Sequence, residues 1–359
     1  MQVPSPFVSA AALRWQRSIA DLREYEVIRD GNVFDSHLAR SSIFSSEYER
    51  AQRLKSDLVQ QYPEPGLESV FEGKEIQTAS GSAYCIQSHH DAREVGWSRG
   101  HEEALLYDLT LIRGIGPATA RHLQERGYST IRDLLGHPKF RIPAAHYLSH
   151  YEARDTGSLM NWIGSRHHRS HPLILTLADC MDRESFCFLD IETLGIFSRP
   201  IILLGLAHLR GERVQVRQFL LRDIEEEPSA LEAAFSAMQE SQAYVTFNGK
   251  SFDIPSLQER AAYYGIPFFG DLPHFDLLHF SRRQWKGMLA NCRLQTLERS
   301  LFGMERGMDV PGALVPEFYE AYLTSGSPGP LVPIVEHNRQ DVLSLVHLFW
   351  RLREDSLCQ

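Results

Sequence analysis

The segment Phe186-Cys187-Phe188-Leu189-Asp190-Ile191-Glu192 constrains the fold more than any other part of the chain. Its first four residues are apolar without alternation, the pattern of a strand covered on both faces. Side chains two apart on a strand leave the same face, so Asp190 and Glu192 point together from its polar end. Two like charges at that spacing repel unless something cationic joins them. An ion pair with a nearby arginine would meet that need, and so would a metal ion.

An α/β order surrounds this segment. Strands are predicted at 186–192, 201–208 and 214–221, followed by a helix at 228–240 whose start carries Glu225, Glu226 and Glu227. A strand at 243–248 and a helix at 254–264 come next, and the remainder reads as helical. The last helix, 334–352, has an apolar face through Val342, Leu345, Val346 and Phe349. This order predicts a mixed sheet with helices on both faces.

Two further acids fall at telling places. In Asn248-Gly249-Lys250-Ser251-Phe252-Asp253 a strand ends, a glycine turn follows, and Asp253 opens a helix. A helix cap is the simpler reading of Asp253 alone. In His337-Asn338-Arg339-Gln340-Asp341 the outer residues are four apart, on one helix face and roughly 6 Å apart along the axis. Taken together the three segments place four carboxylates and a histidine at ends of elements that one sheet can join. A phosphodiester is already negative, so an acid cluster helps cleave it only with divalent cations in between.

At these residues the chain resembles the ribonuclease H-like 3′–5′ exonucleases of the DEDD group, and within it the YprB-type ribonuclease H-like domain. The resemblance spans about 183–352 and includes the stretches HFDLLHFSRRQWKG and CRLQTLE. It implies an α/β, ribonuclease H-like mixed sheet in which Asp190, Glu192, Asp253 and Asp341 ligate two divalent cations, Mg²⁺ or Mn²⁺. It also implies that His337 orients or deprotonates the attacking water. The histidine branch of the group usually has four residues between His and Asp, whereas this chain has three, so binding of a substrate phosphate is the other role open to His337. The implied partner is nucleic acid, DNA ahead of RNA. A non-catalytic nucleic-acid-binding protein on a degenerate scaffold and a structure-specific endonuclease or ribonuclease are the rival readings.

Upstream, the run from Leu111 to Ala120 resembles a helix-hairpin-helix motif, with Leu123, Ile131, Leu134 and Leu135 following at helical spacing. Gly114 and Gly116 permit a tight turn, Pro117 suits a first helical position, and Arg113 and Arg121 add charge. Exposed amides at such a helix start can hold a phosphate without reading its base. Arg282, Arg283 and Trp285 interleave charge with an indole and could track a strand and stack a base. Asn248 could hydrogen-bond substrate or fix the turn before Asp253, and Asp276 reads as structural.

The expected organisation is an N-terminal region (1–100) with a β-hairpin around Ser80-Gly81-Ser82, a helix-hairpin-helix module (101–165), a polar linker (166–182) and the nuclease-like domain (183–355). His167, His168 and His171 are assigned to the linker. A net charge of −9 argues against coating nucleic acid by bulk electrostatics, although residues 281–306 hold six basic side chains against Glu298 and Glu305. Five cysteines, widely spaced and without C-x-x-C, read as free thiols in a reducing compartment. With no signal-peptide pattern at the start, a cytosolic (cytoplasmic) location is expected.

Overall fold

The computed structural model describes residues 42–357 apart from 64–65, 93–94, 96–100, 196–198, 269 and 308–309. Among them seven strands form one sheet: β1 (Gly73–Thr78), β2 (Gly81–Asp91), β3 (Phe186–Thr193), β4 (Ile201–Arg210), β5 (Arg213–Leu220), β6 (Ala243–Thr246) and β7 (His274–Asp276). Their order is β1-β2-β5-β4-β3-β6-β7. β3 lies inside the sheet, antiparallel to β4 and parallel to β6. This is the mixed sheet that the run of strand, helix and strand predicts.

Strand alternation divides the interior in two. Phe186 and Phe188 face one core with Phe275, Val342, Val346 and Phe349. Cys187, Leu189 and Ile191 face the other with Leu231, Phe235 and Leu257. Asp190 and Glu192 continue the Phe186–Phe188 row. The helix packed on that row therefore meets the acids.

The helices that matter for the site are α1 (Ser42–Gln61), α2 (Pro117–Glu125), α3 (Arg141–Glu152), α4 (Thr156–Gly164), α5 (Glu227–Met238), α6 (Asp253–Tyr264), α7 (Leu277–Trp285), α8 (Val315–Ser325) and α9 (Leu331–Leu357). None in the described residues is long and apolar enough to cross a membrane. Cys85, Cys180 and Cys187 are buried free thiols, and Cys358 lies outside the described residues. Burial pushes the Cys187 thiol up to about 12.

Two expected boundaries give way to packing. The hairpin β1–β2 forms where expected, but β2 pairs with β5 from Tyr84 opposite Leu220 to Asp91 opposite Arg213. It completes the sheet rather than standing apart in an N-terminal region, because β5 would otherwise present an open row of backbone groups. The stretch 166–182 is likewise no solvated linker. His167 Nε2 bonds Asp108 Oδ2 at 2.8 Å and stacks on His171 at 4.1 Å. Ile174, Leu175, Leu177 and Ala178 are buried in the same core as Tyr147 of α3, Leu159 of α4 and Phe186.

A fully buried ion pair fastens this stretch to α9. Arg353 bonds Asp179, and the His101 amide donates to the other Asp179 oxygen at 3.0 Å. Arg353→Met would strand the carboxylate in an apolar interior, and unfolding by urea is expected to lose about 3–5 kcal/mol. A loss below about 1 kcal/mol, the range of a surface pair, would contradict that account.

Candidate active site

Asp190 is held by a clamp that spans three strands. It lies opposite Gly205 of β4, which in turn lies opposite Gln218 of β5. A Cβ on Gly205 would come within 2.1 Å of Asn338 Oδ1, so only glycine lets α9 press this close. The buried Asn338 accepts from Gln218 Nε2 at 2.9 Å and donates to Asp190 Oδ2 at 2.8 Å and to the Asp190 carbonyl at 3.1 Å. The amide orientation is thereby fixed, and with it the carboxylate.

One residue before Asn338, His337 reaches the same volume. Its Nε2 lies 3.9 Å from Glu192 Oε1 and 3.6 Å from Asp341 Oδ2. The helical spacing of His337 and Asp341 therefore does what the sequence predicts.

Asp253 arrives by a braced turn. Asn248 has φ 69°, the left-handed region that asparagine tolerates better than most residues. A Cβ on Gly249 would fall 2.4 Å from Thr246 Oγ1, so the chain can pass only as glycine. The buried Asp276 accepts from the Asn248 amide at 2.8 Å, the Lys250 amide at 3.1 Å and the Leu278 amide at 3.2 Å. Asp276 is thus structural, bracing the turn and capping α7. Asp253 then opens α6, buried, where the Ile191 amide of β3 favours its charged form.

The electrostatics register the convergence. Burial raises Asp190 well above the usual carboxylate range, and the charges of Asp341, Glu192 and Asp253 push it further, against the Asn338 hydrogen bond. Burial raises Asp253 to about 8; its own amide and that of Ile191 oppose the shift, while Asp276 and Glu192 add to it. Asp341 is raised by burial and held back by His337 and Arg306.

Arg306 is the residue that sequence reasoning passed over. Its Nε and Nη2 donate to the two oxygens of the buried Glu298 at 2.7 and 2.6 Å, and Nη2 also bonds Asp341. Nη1 stands 3.2 Å from His337 Nδ1. A guanidinium only donates, so Nδ1 accepts and a neutral His337 carries its proton on Nε2, toward Glu192 and Asp341. Asn338, Gly205 and Gln218 were also missed. The sequence offered two hints: an asparagine beside His337, and a lone glycine inside the apolar run Ile201–Ala207.

Among the described residues no three Asp, Glu, His or Cys side chains are drawn together closely enough to hold a metal ion as they stand. The donor chemistry nevertheless fits one. Asp190, Glu192, Asp253 and Asp341 offer only hard carboxylate oxygens, which suit Mg²⁺ or Mn²⁺, and the upward shifts mark negative charge short of positive charge.

Other expected contacts are spread more widely. Asn248, Arg282 and Arg283 are exposed. Trp285 is not available to stack a base: it is 5% exposed and part of the core, because α7 turns its apolar face inward. Gly114, with φ 89°, and Gly116, which precedes α2, lie with Arg113 in an exposed loop around the buried Ile115. The turns before it are short, Ala104–Tyr107 and Leu109–Leu111, and Leu135 is exposed rather than packed.

The raised carboxylates have a consequence for stability. The folded Asp253 keeps its proton up to about pH 8, whereas an unfolded aspartate loses it near about pH 4. The folded state binds more protons across that window, so its stability is greatest below it and is lost as pH rises through it. Metal-stripped protein should therefore melt at progressively lower temperature from pH 5 to pH 8.5, and Asp253→Asn should flatten the slope. A melting temperature that rises over this range would contradict the assignment.

Residues 187–353 match the RNase_H_2 family of the RNase_H superfamily. The chain is 34% identical over 183 residues to a protein of Bacillus subtilis (strain 168) described as "Uncharacterized protein YprB", a match covering 50% of this chain and 44% of that one. The chain thus spans less than half the length of that relative. The structure of the family B DNA polymerase from the hyperthermophilic archaeon Pyrobaculum calidifontis superposes with a TM-score of 0.38 at 17% identity, covering 45% of this chain and 24% of the polymerase. Residues 187–353 of this chain form a domain of the ribonuclease H superfamily.

Proposed function

We propose that this chain is a metal-dependent nuclease that hydrolyses phosphodiester bonds of nucleic acid, acting as a 3′–5′ exonuclease. The observation that carries the reading is the convergence of Asp190, Glu192, Asp253 and Asp341, with His337, at the edge of one core. The direction of attack rests on the resemblance to the DEDD group.

In this reading Asp190, Glu192, Asp253 and Asp341 hold up to two divalent cations, Mg²⁺ or Mn²⁺. Bound there, such ions acidify a water and neutralise the departing oxygen. The protein's own residues do the rest. Asn338 keeps Asp190 from rotating away, and the Asp276-braced turn keeps Asp253 in reach of β3. His337 presents Nε2–H toward Glu192 and Asp341, so it is set to donate to an oxygen of water or phosphate rather than to take a proton. This favours an orienting or phosphate-holding role over that of a base.

The decisive comparison is wild type against Asp190→Asn on end-labelled single- and double-stranded DNA and RNA, with Mn²⁺ and with chelator. Cleavage is expected to stop with chelator and to fall at least about a hundredfold in the variant, the scale of losing one preorganised electrostatic contact at a reacting centre. A variant as fast as wild type would sink the reading. Circular substrates should survive; their cleavage would point to an endonuclease.

The bond between Arg306 and Asp341 favours a second reading, a nucleic-acid-binding protein without turnover. It predicts binding that survives chelation and no dependence of any activity on Asp190.

The exposed loop at 113–116 is proposed as a helix-hairpin-helix phosphate contact, helped by Arg113 and, farther off, by Asn248, Arg282 and Arg283. Gly114→Ala places a Cβ on a left-handed backbone and should distort that loop. Affinity for DNA, measured by fluorescence anisotropy in Ca²⁺, should weaken several-fold while the rate at saturating substrate in Mn²⁺ stays unchanged. Unaltered affinity would remove the loop from the binding surface.

A further inference from the structure

We infer that His146 and His150 of α3 form a second metal site, one that takes Zn²⁺. The inference is independent of the nuclease reading: it uses none of the four carboxylates, and its ligands are nitrogens rather than oxygens. The two histidines are one turn apart on α3, the spacing that brings side chains onto one helix face. Their Nε2 atoms stand 3.3 Å apart while the ring centroids are 5.0 Å apart, so the rings converge at those two atoms. Zinc–nitrogen bonds of about 2.0–2.1 Å at a tetrahedral angle set two ligand nitrogens about 3.3–3.4 Å apart. The pair already stands at that separation. Square-planar copper(II) would bring neighbouring nitrogens to about 2.8 Å, so the spacing favours zinc.

A carboxylate sets the tautomer. His150 Nδ1 lies 3.1 Å from Asp155 Oδ2, and an ionised carboxylate only accepts, so Nδ1 carries the proton and a neutral His150 presents a bare Nε2. Asp155 is itself held, because its Oδ1 accepts from the Ser158 amide at 3.0 Å as the cap of α4. Metal-bound histidines are generally oriented in this way, the second ring nitrogen donating to a carboxylate. Without metal, His146 donates its Nε2–H to the bare Nε2 of His150. On binding, His146 gives that proton to water and takes another on Nδ1, which makes no hydrogen bond among the described residues.

His146 is exposed and His150 half-buried, so an ion has access from solvent. Among the described residues no third histidine, cysteine or carboxylate joins the pair as a ligand, and water completes the coordination. Such a site exchanges its metal, unlike a closed site with four protein ligands. Trp162 of α4 backs both rings, edge-on to His146 at 5.2 Å and tilted against His150 at 6.1 Å. Its Nε1 donates to the Leu111 carbonyl at 2.7 Å. An ion on the two histidines therefore braces α3, the turn carrying Asp155 and, through Trp162, the residue that opens the run Leu111–Ala120. An indole this close also reports a paramagnetic ion by loss of its fluorescence.

The test titrates Zn²⁺ into the full chain in excess Mg²⁺, with heat followed by calorimetry, and Co²⁺ in parallel, with tryptophan fluorescence as the readout. Wild type should bind zinc at a site that Asp190→Asn retains. His146→Gln and His150→Gln should each weaken zinc binding there by at least about tenfold and remove the quenching by Co²⁺. Asp155→Asn, which keeps an oxygen for the α4 cap, should weaken it by about tenfold, the scale of losing a carboxylate behind a metal-bound histidine. If both histidine variants bind zinc as tightly as wild type, or if all zinc binding is lost in Asp190→Asn, the inference is overturned. Failure of the nuclease reading would show instead as cleavage indifferent to Asp190→Asn, a result that leaves the histidine site untouched.

Discussion

Four carboxylates gathered in a poorly hydrated pocket repel one another, and much of this structure is arranged around that repulsion. Burial alone raises Asp190, Asp253 and Asp341, and their mutual charges raise Asp190 further. Such a cluster persists only because the framework fixes each member separately. A strand register and an asparagine clamp hold Asp190, a braced turn holds Asp253, and a helix held against the sheet carries Asp341. In the proposed reading the cost is retained because charge concentrated in this way attracts cations and, through them, a phosphate.

The partial neutralisation of the cluster is uneven, and the unevenness is informative. A permanently charged guanidinium touches one end and a neutral amide the other. Arg306 is itself secured by Glu298, so the positive charge inside the pocket is balanced one layer farther out. The arrangement also dictates the histidine tautomer, which spacing along a helix cannot reveal. His337 sits where the sequence implies, yet its hydrogen bonding suits donation better than proton abstraction.

Local patterns were legible and non-local ones were not. The apolar run of β3, its two acids, the glycine turn before Asp253 and the one-turn spacing of His337 and Asp341 all follow from periodicities within a few residues. Strand β7 is three residues long and gives no periodic signal. Arg306 lies in a basic stretch that looks solvated, and nothing local says that it folds back on Glu298 and Asp341. Trp285 belongs to the same stretch, and only the packing of α7 decides that its indole faces inward. Asn338 could not be singled out because its partners, Asp190 and Gln218, lie 148 and 120 residues away.

The hairpin β1–β2 has a further consequence for how this polypeptide can be divided. Its outer pairing partner is the strand that borders β4, and β4 in turn abuts the acid-bearing strand. Any fragment that starts after Asp91 would leave the amides and carbonyls of Arg213–Leu220 facing water on one side, a template for another copy to add itself. A unit that keeps this edge covered is consequently larger than the stretch bearing the four acids, and includes Gly81–Asp91.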